Sequence, residues 1–189
     1  MCPLTLNNME FYNTPEGDVM VKEVGKPAYQ LKDIHRELIA ELLRVIRELY
    51  PKAHDALMKL YSASTMNRTY YEYRVVHRFL RCNFGNYNQE LLDVDHHGAF
   101  HFEEVGCPLR GECIYEGVIC RPKLETHLSD REMEVFRLIA VDHLQADQIA
   151  EELHISSATV DRHRNNIRMK IGAKNVAEMV AYWMNHQLK

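Results

Sequence analysis

The sequence predicts a mainly α protein with two parts. One is a helical N-terminal domain carrying a small irregular or β, cysteine-rich segment; the other is a C-terminal four-helix bundle. Three observations carry this reading. Apolar residues recur every three or four positions over 29–50, and again through 135–183, the period of helices with one buried face. Between these stretches, 106–127 holds three Cys, three Gly and two Pro. That composition suits a loop held by something other than a core, one that also serves as the linker. The expected division is 1–126 and 127–189.

The chain's 189 residues allow one large domain or two small ones with separate cores. No apolar run approaches a membrane span, and Met1 to Asn13 lacks the charged start and apolar centre of a signal peptide. A cytoplasmic protein is expected. The net charge of −4 does not advertise a polyanion partner. Residues 127–189 carry 8 Lys/Arg against 9 Asp/Glu, yet Thr159 to Lys174 gathers five bases against one acid. A basic stripe on a neutral domain is a better nucleic-acid signal than overall pI. The five cysteines are Cys2, Cys82, Cys107, Cys113 and Cys120. A reducing cytoplasm argues against static disulfides among them.

Residues 1–27 have no clear periodicity and read as a loose arm or short irregular structure. From Tyr29 to Tyr50, Leu31, Ile34, Leu38, Leu42, Val45 and Leu49 form a helical stripe, widened by Ile39, Leu43 and Ile46, and Pro51 follows its end. This helix serves either a core or a dimer seam. A second helix is expected from Lys52 to about Ser64. Residues 69–82 lean to helix, with Tyr73, Val76 and Leu80 inward, although their β-branched and aromatic content also permits a strand. "GAFHFEEV", 98–105, reads as a short strand.

"HLSDREMEVFRLIA" opens the second unit. Ser129 and Glu132 make a capping box, and Val135, Leu138 and Ile139 face inward. A short helix, "QADQIAEEL", turns Ile149 and Leu153 inward. After the tight turn 154–156, Ser156 caps the next helix. There Val160, His163, Ile167 and Ile171 share an inner face, while Asp161, Arg162, Asn165 and Arg168 lie opposite. Two short helices joined by a tight turn, the second exposing Arg and Asn, describe a helix-turn-helix suited to a major groove. Arg can pair with guanine, Asn with adenine, and flanking bases with phosphates. A fourth helix starts near Asn175, capped with Glu178, with Val176, Met179, Val180 and Trp183 on its apolar side.

The run "LSDREMEVFRLIA…QIAEELHISSATVDRHRNNIRMKIGAKNVAEMV" resembles the LuxR-type (NarL/FixJ-like) DNA-binding domain over roughly 127–189. The resemblance implies a four-helix bundle that binds double-stranded promoter DNA, commonly as a homodimer using its last helix. RNA polymerase is a further partner expected of such a regulator. The family's recognition positions fall on Thr159, Asp161, Arg162, Asn165 and Arg168, with Lys170 and Lys174 near the DNA backbone. Two departures stand out. The usual Gly after the first helix is absent, so Asp142 or His143 must take a left-handed conformation. The family usually has Lys where Asp161 stands; an Asp there can accept from cytosine N4 or pair with Arg162, Arg164 or Asn165. A small sigma factor also ends in a helix-turn-helix, but "NNIRMKIGAKNVAEMV" argues against it. The N-terminal half shows no acidic cluster and Lys of a receiver domain.

Cys107, Cys113 and Cys120 are spaced by five and six residues, with Cys82 as a fourth candidate ligand and His96, His97 and His101 as alternatives. A structural Zn²⁺ would substitute for a missing core. An iron–sulfur cluster, a thiol pair activated by Arg110 and Arg121, or plain unliganded cysteines remain open. The run "DHHGAFHFEE" could carry a catalytic metal with Glu103 or Glu104 as base, but surface histidines in a turn explain it as well. The expected function is a DNA-binding transcriptional regulator and not an enzyme. The N-terminal domain would dimerise, sense or contact another protein. A metal-dependent enzyme with a DNA-binding tail is the alternative, as is an adaptor using the 29–50 helix and "YYEYR".

Overall fold

The computed structural model describes residues 6–88, 91–96, 98–186 and 188. The chain divides into two compact units, Met1–Glu125 and Thr126–Lys189. Both are built mainly of helices, with one small sheet. Among the described residues, no helix is long and apolar enough to cross a membrane.

The N-terminal unit starts with an antiparallel sheet: β1 (Met9–Asn13), β2 (Val19–Glu23) and the short β3 (Tyr29–Gln30). Phe11 pairs with Val21, and Val21 with Tyr29. The expected loose arm is therefore a hairpin. "TPEGD" closes it, with Gly17 at φ +93, a region open to glycine at little cost. Val19, Val21 and Phe11 drop into the core.

The helix expected from Tyr29 begins later, at Arg36: α1 is Arg36–Leu49. Leu31 is buried, but as the continuation of a strand whose N–H donates to the Val19 carbonyl. Ile34 is 72% exposed. The stripe Leu38, Ile39, Leu42 and Ile46 is spent in this unit's own core. On the outer face Arg44 bridges Glu41 and Glu48, pairs that contribute a few tenths of a kcal/mol each. Pro51 opens α2 (Pro51–Leu60), where its missing N–H costs nothing. The helical reading of 69–82 is right: α3 spans Arg68–Asn83, and the Asn67 side chain caps it by accepting from the Tyr70 N–H. Val75, Val76, Phe79 and Leu80 are fully buried, whereas Tyr73 is only half-buried. Buried Glu72 accepts from Arg36 and Arg68, each at 2.8 Å.

Residues 91–96 return to the sheet. Val94 and Met9 exchange both backbone hydrogen bonds at 3.0 Å. "GAFHFEEV" is extended, but only Phe100 pairs, in a single bridge to Val94, so the expected strand does not form. Its rings are committed instead to an aromatic cluster with Tyr50, Phe79 and Phe84. Of the segment expected to act as a linker, residues 106–125 belong to this unit. Leu124 packs on the core and the Glu125 N–H donates to the Leu49 carbonyl.

The C-terminal unit is α4 (Asp130–Ala140), α5 (Ala146–Glu152), α6 (Ser157–Ile171) and α7 (Val176–Asn185). Val135, Phe136, Leu138, Ile149, Val160, Ile167, Met179 and Trp183 form its core. Phe136 meets the Trp183 ring edge-on at 4.9 Å. Val176, expected inward, is 41% exposed. The capping pairs form as read. Ser129 and Glu132 satisfy each other's backbone N–H, Ser156 accepts from Thr159 N–H, and Asn175 accepts from Glu178 N–H. The position lacking Gly is filled by His143 at φ +55.

Candidate functional site

α5 and α6 make the helix-turn-helix. His154 turns the chain at φ +53, and Ile155 N–H donates back to the Ala150 carbonyl, so α6 starts three residues later under the Ser156 cap. Ser157 Oγ donates to Asp147 at 2.7 Å and ties the two helices at their N-terminal ends.

Burial along α6 defines its free face. Val160 and Ile167 are buried, and His163 and Ile171 are half-buried, as the inner face requires. Ala158, Arg162, Asn165 and Met169 are exposed. Their spacing of four, three and four residues makes one straight stripe. Arg162 and Asn165, both expected at the groove, lie on it. The other expected contacts lie beside it. Thr159 Oγ1 shares a 2.8 Å hydrogen bond with Ser156 within the cap. Asp161 pairs with Arg164 at 2.7 Å, the partner among the three considered that lies one turn on. Arg168 is half-buried and donates to the Lys174 carbonyl, closing the α6 C-terminus around Gly172 at φ +73.

Lys170 has a defined structural task. Its Nζ lies 2.6 Å from Glu132 Oε2, whose side chain is 5% exposed. Burial alone would raise the Glu132 carboxyl, but Lys170 and the Ser129 N–H and hydroxyl outweigh it and bring it down to about 2. Lys170, expected near the DNA backbone, is exposed and holds this partner within the bundle. Lys174 is exposed, and its N–H rather than its ammonium is engaged, by Glu178. Ala158 and Met169, which complete the stripe, were missed because neither carries a polar group; the helical period from Arg162 alone locates them.

In the N-terminal unit, Cys82, Cys107, Cys113 and Cys120 line one cavity of about 300 Å³, bordered by Arg78, Arg81 and Arg110. Cys82 comes from α3 and the other three from the loop 105–121, which is folded by consecutive turns. Buried Asn83 fastens the end of that loop. Its Nδ2 donates to the Phe79 and Ile119 carbonyls, both at 2.8 Å, and its Oδ1 accepts from Arg121 N–H at 2.6 Å. All four thiols are free. Burial pushes the Cys82 thiol up, against the pull of Arg78. Among the described residues, no three Cys, His, Asp or Glu side chains converge closely enough to hold one ion.

The His/Glu run is engaged elsewhere. His101 Nε2 sits 3.2 Å from Asp95. Glu103 accepts from Gly85 N–H and Asn88, and Glu104 faces Arg121 at 3.5 Å. His97 lies outside the described residues.

Comparison with known proteins agrees with this geometry. Residues 126–183 match the family model described as bacterial regulatory proteins, luxR family. This unit is therefore a LuxR-family domain, while the N-terminal unit is unrecognised. The Fimbriae Z protein of Salmonella typhimurium is 36% identical over 61 residues, 32% of this chain and 29% of that protein. The transcriptional regulatory protein MctR of Rhizobium johnstonii is 32% identical over 89 residues, 47% of this chain and 38% of that one. The oxygen regulatory protein NreC of Staphylococcus aureus is 39% identical over 61 residues, 32% and 28% of the two chains. The match thus spans only about a third of each relative's length. No solved structure matches.

Proposed function

We propose that the protein is a sequence-specific DNA-binding transcriptional regulator that reads duplex DNA with α6. The observation that carries this is the free stripe Ala158, Arg162, Asn165 and Met169 on the second helix of a helix-turn-helix, inside the stretch that matches the luxR family. In a major groove, Arg162 is suited to guanine O6 and N7, Asn165 to adenine N6 and N7, and the methyl of Ala158 to thymine. Arg164, Arg168 and Lys174 flank the stripe and supply phosphate contacts. The exposed α7 positions Ala177, Ala181 and Met184 form a small apolar strip suited to a second copy. On this reading the protein is a cytoplasmic homodimer at promoter DNA, and RNA polymerase is the partner that reads it out. No catalytic residue is proposed, since the His/Glu run is held in local hydrogen bonds and ion pairs.

The test is selection of a preferred duplex followed by a salt titration. Affinity should fall linearly on logarithmic axes, with a slope of about −0.9 per phosphate neutralised. Arg162→Ala should lose about 1–3 kcal/mol of discrimination at one base pair and keep most of the salt slope. Salt-independent binding, or an Arg162→Ala protein that selects the same sequence equally well, would overturn the reading.

A further inference from the structure

Cys82, Cys107, Cys113 and Cys120 are 25, 6 and 7 positions apart in sequence, yet they border one cavity of about 300 Å³. A tetrahedral zinc ion would gather four thiolate sulfurs to roughly 3.8 Å from one another, and among the described residues no three ligand-type side chains are gathered to hold one ion. The cavity that the four cysteines line has room for a group of several atoms.

Three guanidinium groups and one carboxylate line the rest of the cavity: Arg78, one turn from Cys82 on α3, Arg81, Arg110, and Glu116, which pairs with Arg110 at 3.7 Å. The balance is positive and suits an anionic occupant. The loop has no core of its own: from 105 to 121 only Ile119 is buried, while Leu109 is 50% and Ile114 84% exposed. Its fold is set by turns and by the Asn83 clamp, a state that a bound metal group can stabilise where hydrophobic burial does not. Pro108 directly follows Cys107, a sequence context found among cluster cysteines.

We propose that Cys82, Cys107, Cys113 and Cys120 ligate an iron–sulfur cluster in this cavity. Binding of a preassembled cluster is a ligand exchange. Each thiol gives its proton to water and its sulfur to an iron, the cluster's previous outer ligands leave, and no electron is transferred. Four thiolates then carry the outer charge, offset in part by Arg78, Arg81 and Arg110, of which Arg110 is already paired with Glu116. Such a cluster would make the N-terminal unit the place where the regulator receives its signal, although the site itself is argued without reference to DNA.

The test is to produce the full chain without oxygen, chelator or metal-affinity tag, and to measure iron, acid-labile sulfide, zinc and visible absorption. Iron and sulfide in equal amounts, several per chain, with a broad visible absorption are expected. Cys82→Ser, Cys107→Ser, Cys113→Ser and Cys120→Ser should each lose most of both. Stoichiometric zinc without sulfide overturns the proposal, as does a metal-free, colourless protein. Iron and sulfide retained undiminished in the serine variants also overturn it. Should Cys82→Ser fail to fold, the wild-type stoichiometry still decides whether a cluster is present, and Cys107→Ser, at an exposed position, decides the ligand. Because none of these readouts involves DNA, failure of the DNA-binding reading and failure of the cluster would be told apart.

Discussion

The C-terminal bundle and the cysteine loop solve the same problem by opposite means. In the bundle, Val135, Phe136, Ile149, Val160, Ile167, Met179 and Trp183 are each at most 3% exposed, and Ser129, Ser156 and Asn175 satisfy the first N–H groups of α4, α6 and α7. Burial at about 25 cal/mol per Å² and capping at about 1 kcal/mol each hold that unit. The loop 105–121 has one buried residue, and its polar clamp, Asn83, lies outside it on α3. A bundle that supplies its own core can fix a reading face such as α6. On the proposed reading, a loop that lacks one is stabilised by what occupies it.

The largest effect that would break this contrast is a cavity in the bundle. Phe136→Ala removes the edge-on partner of Trp183 and should cost about 3–5 kcal/mol. Trp183 is the one tryptophan in the chain, so its fluorescence reports this unit alone. Chemical denaturation followed by that signal should move to much lower denaturant. Hydrogen exchange at Phe11 and Val21, in the N-terminal core, should stay unchanged. Joint destabilisation of both units would mean that their cores are not independent.

Next in size is a pH response of opposite sign in the two units. Asp93 is 1% exposed. Burial first, then Glu10 and Glu103, push its carboxyl up to about 8, against the pull of the Phe11 N–H that donates to it at 2.6 Å. The folded state therefore holds this proton when the unfolded chain has released it. Stability of the N-terminal unit should fall as pH rises from about 4 to 8. Glu132 runs the other way: its carboxyl lies near 2, so the stability it contributes is complete above the ordinary carboxylate range and is lost as pH falls from about 4.5 towards 2. That contribution is on the order of 2 kcal/mol. Asp93→Asn should flatten the first profile, read by hydrogen exchange at Phe11, and Glu132→Gln the second, read by Trp183 fluorescence. Profiles of the same sign in both units would refute the assignment.

The contrast also explains what could be read from the sequence. The bundle was legible because its information is local. Ser129 and Glu132 are three residues apart, and the apolar stripes need only the helical period. The N-terminal hairpin was not, because Met9, Glu10 and Phe11 are all buried and the alternation of a strand is masked. Glu10 is tolerated inside only because Asn88 and Asp93 N–H groups, far along the chain, donate to it. α1 was begun too early for a similar reason: Leu31 is buried through β2, not through a helical face. On α6 the expected inner face is buried or half-buried, while Thr159, Asp161 and Arg168, expected outside, are half-buried and paired. The pairs Ser156–Thr159 and Asp161–Arg164 follow the helical period, whereas the Arg168 bond to the Lys174 carbonyl, beyond the end of the helix, does not. The four cavity cysteines are visible in the sequence as candidate ligands; that they line one cavity is not, since Cys82 comes from α3 and meets the loop only through tertiary packing.

The smallest predicted effect concerns Asp161 and sharpens the reading of α6. Its ion pair with Arg164 joins side chains that are 50% and 37% exposed, and a pair so wet contributes about 0–1 kcal/mol to stability. Asp161→Lys should therefore leave Trp183-monitored stability nearly unchanged. Its effect on DNA should be electrostatic. The change removes an acid, adds a base and releases Arg164, so non-specific affinity should rise and the salt slope should steepen by about 0.9 for each phosphate gained. Asp161→Ala separates the two contributions, because it frees Arg164 without adding a charge. Since Asp161 stands beside the stripe of Arg162 and Asn165, the bases preferred at those two positions should be retained in both variants. A changed preference there, with an unchanged salt slope, would move Asp161 onto the groove-facing side and make it a direct reader of a base edge.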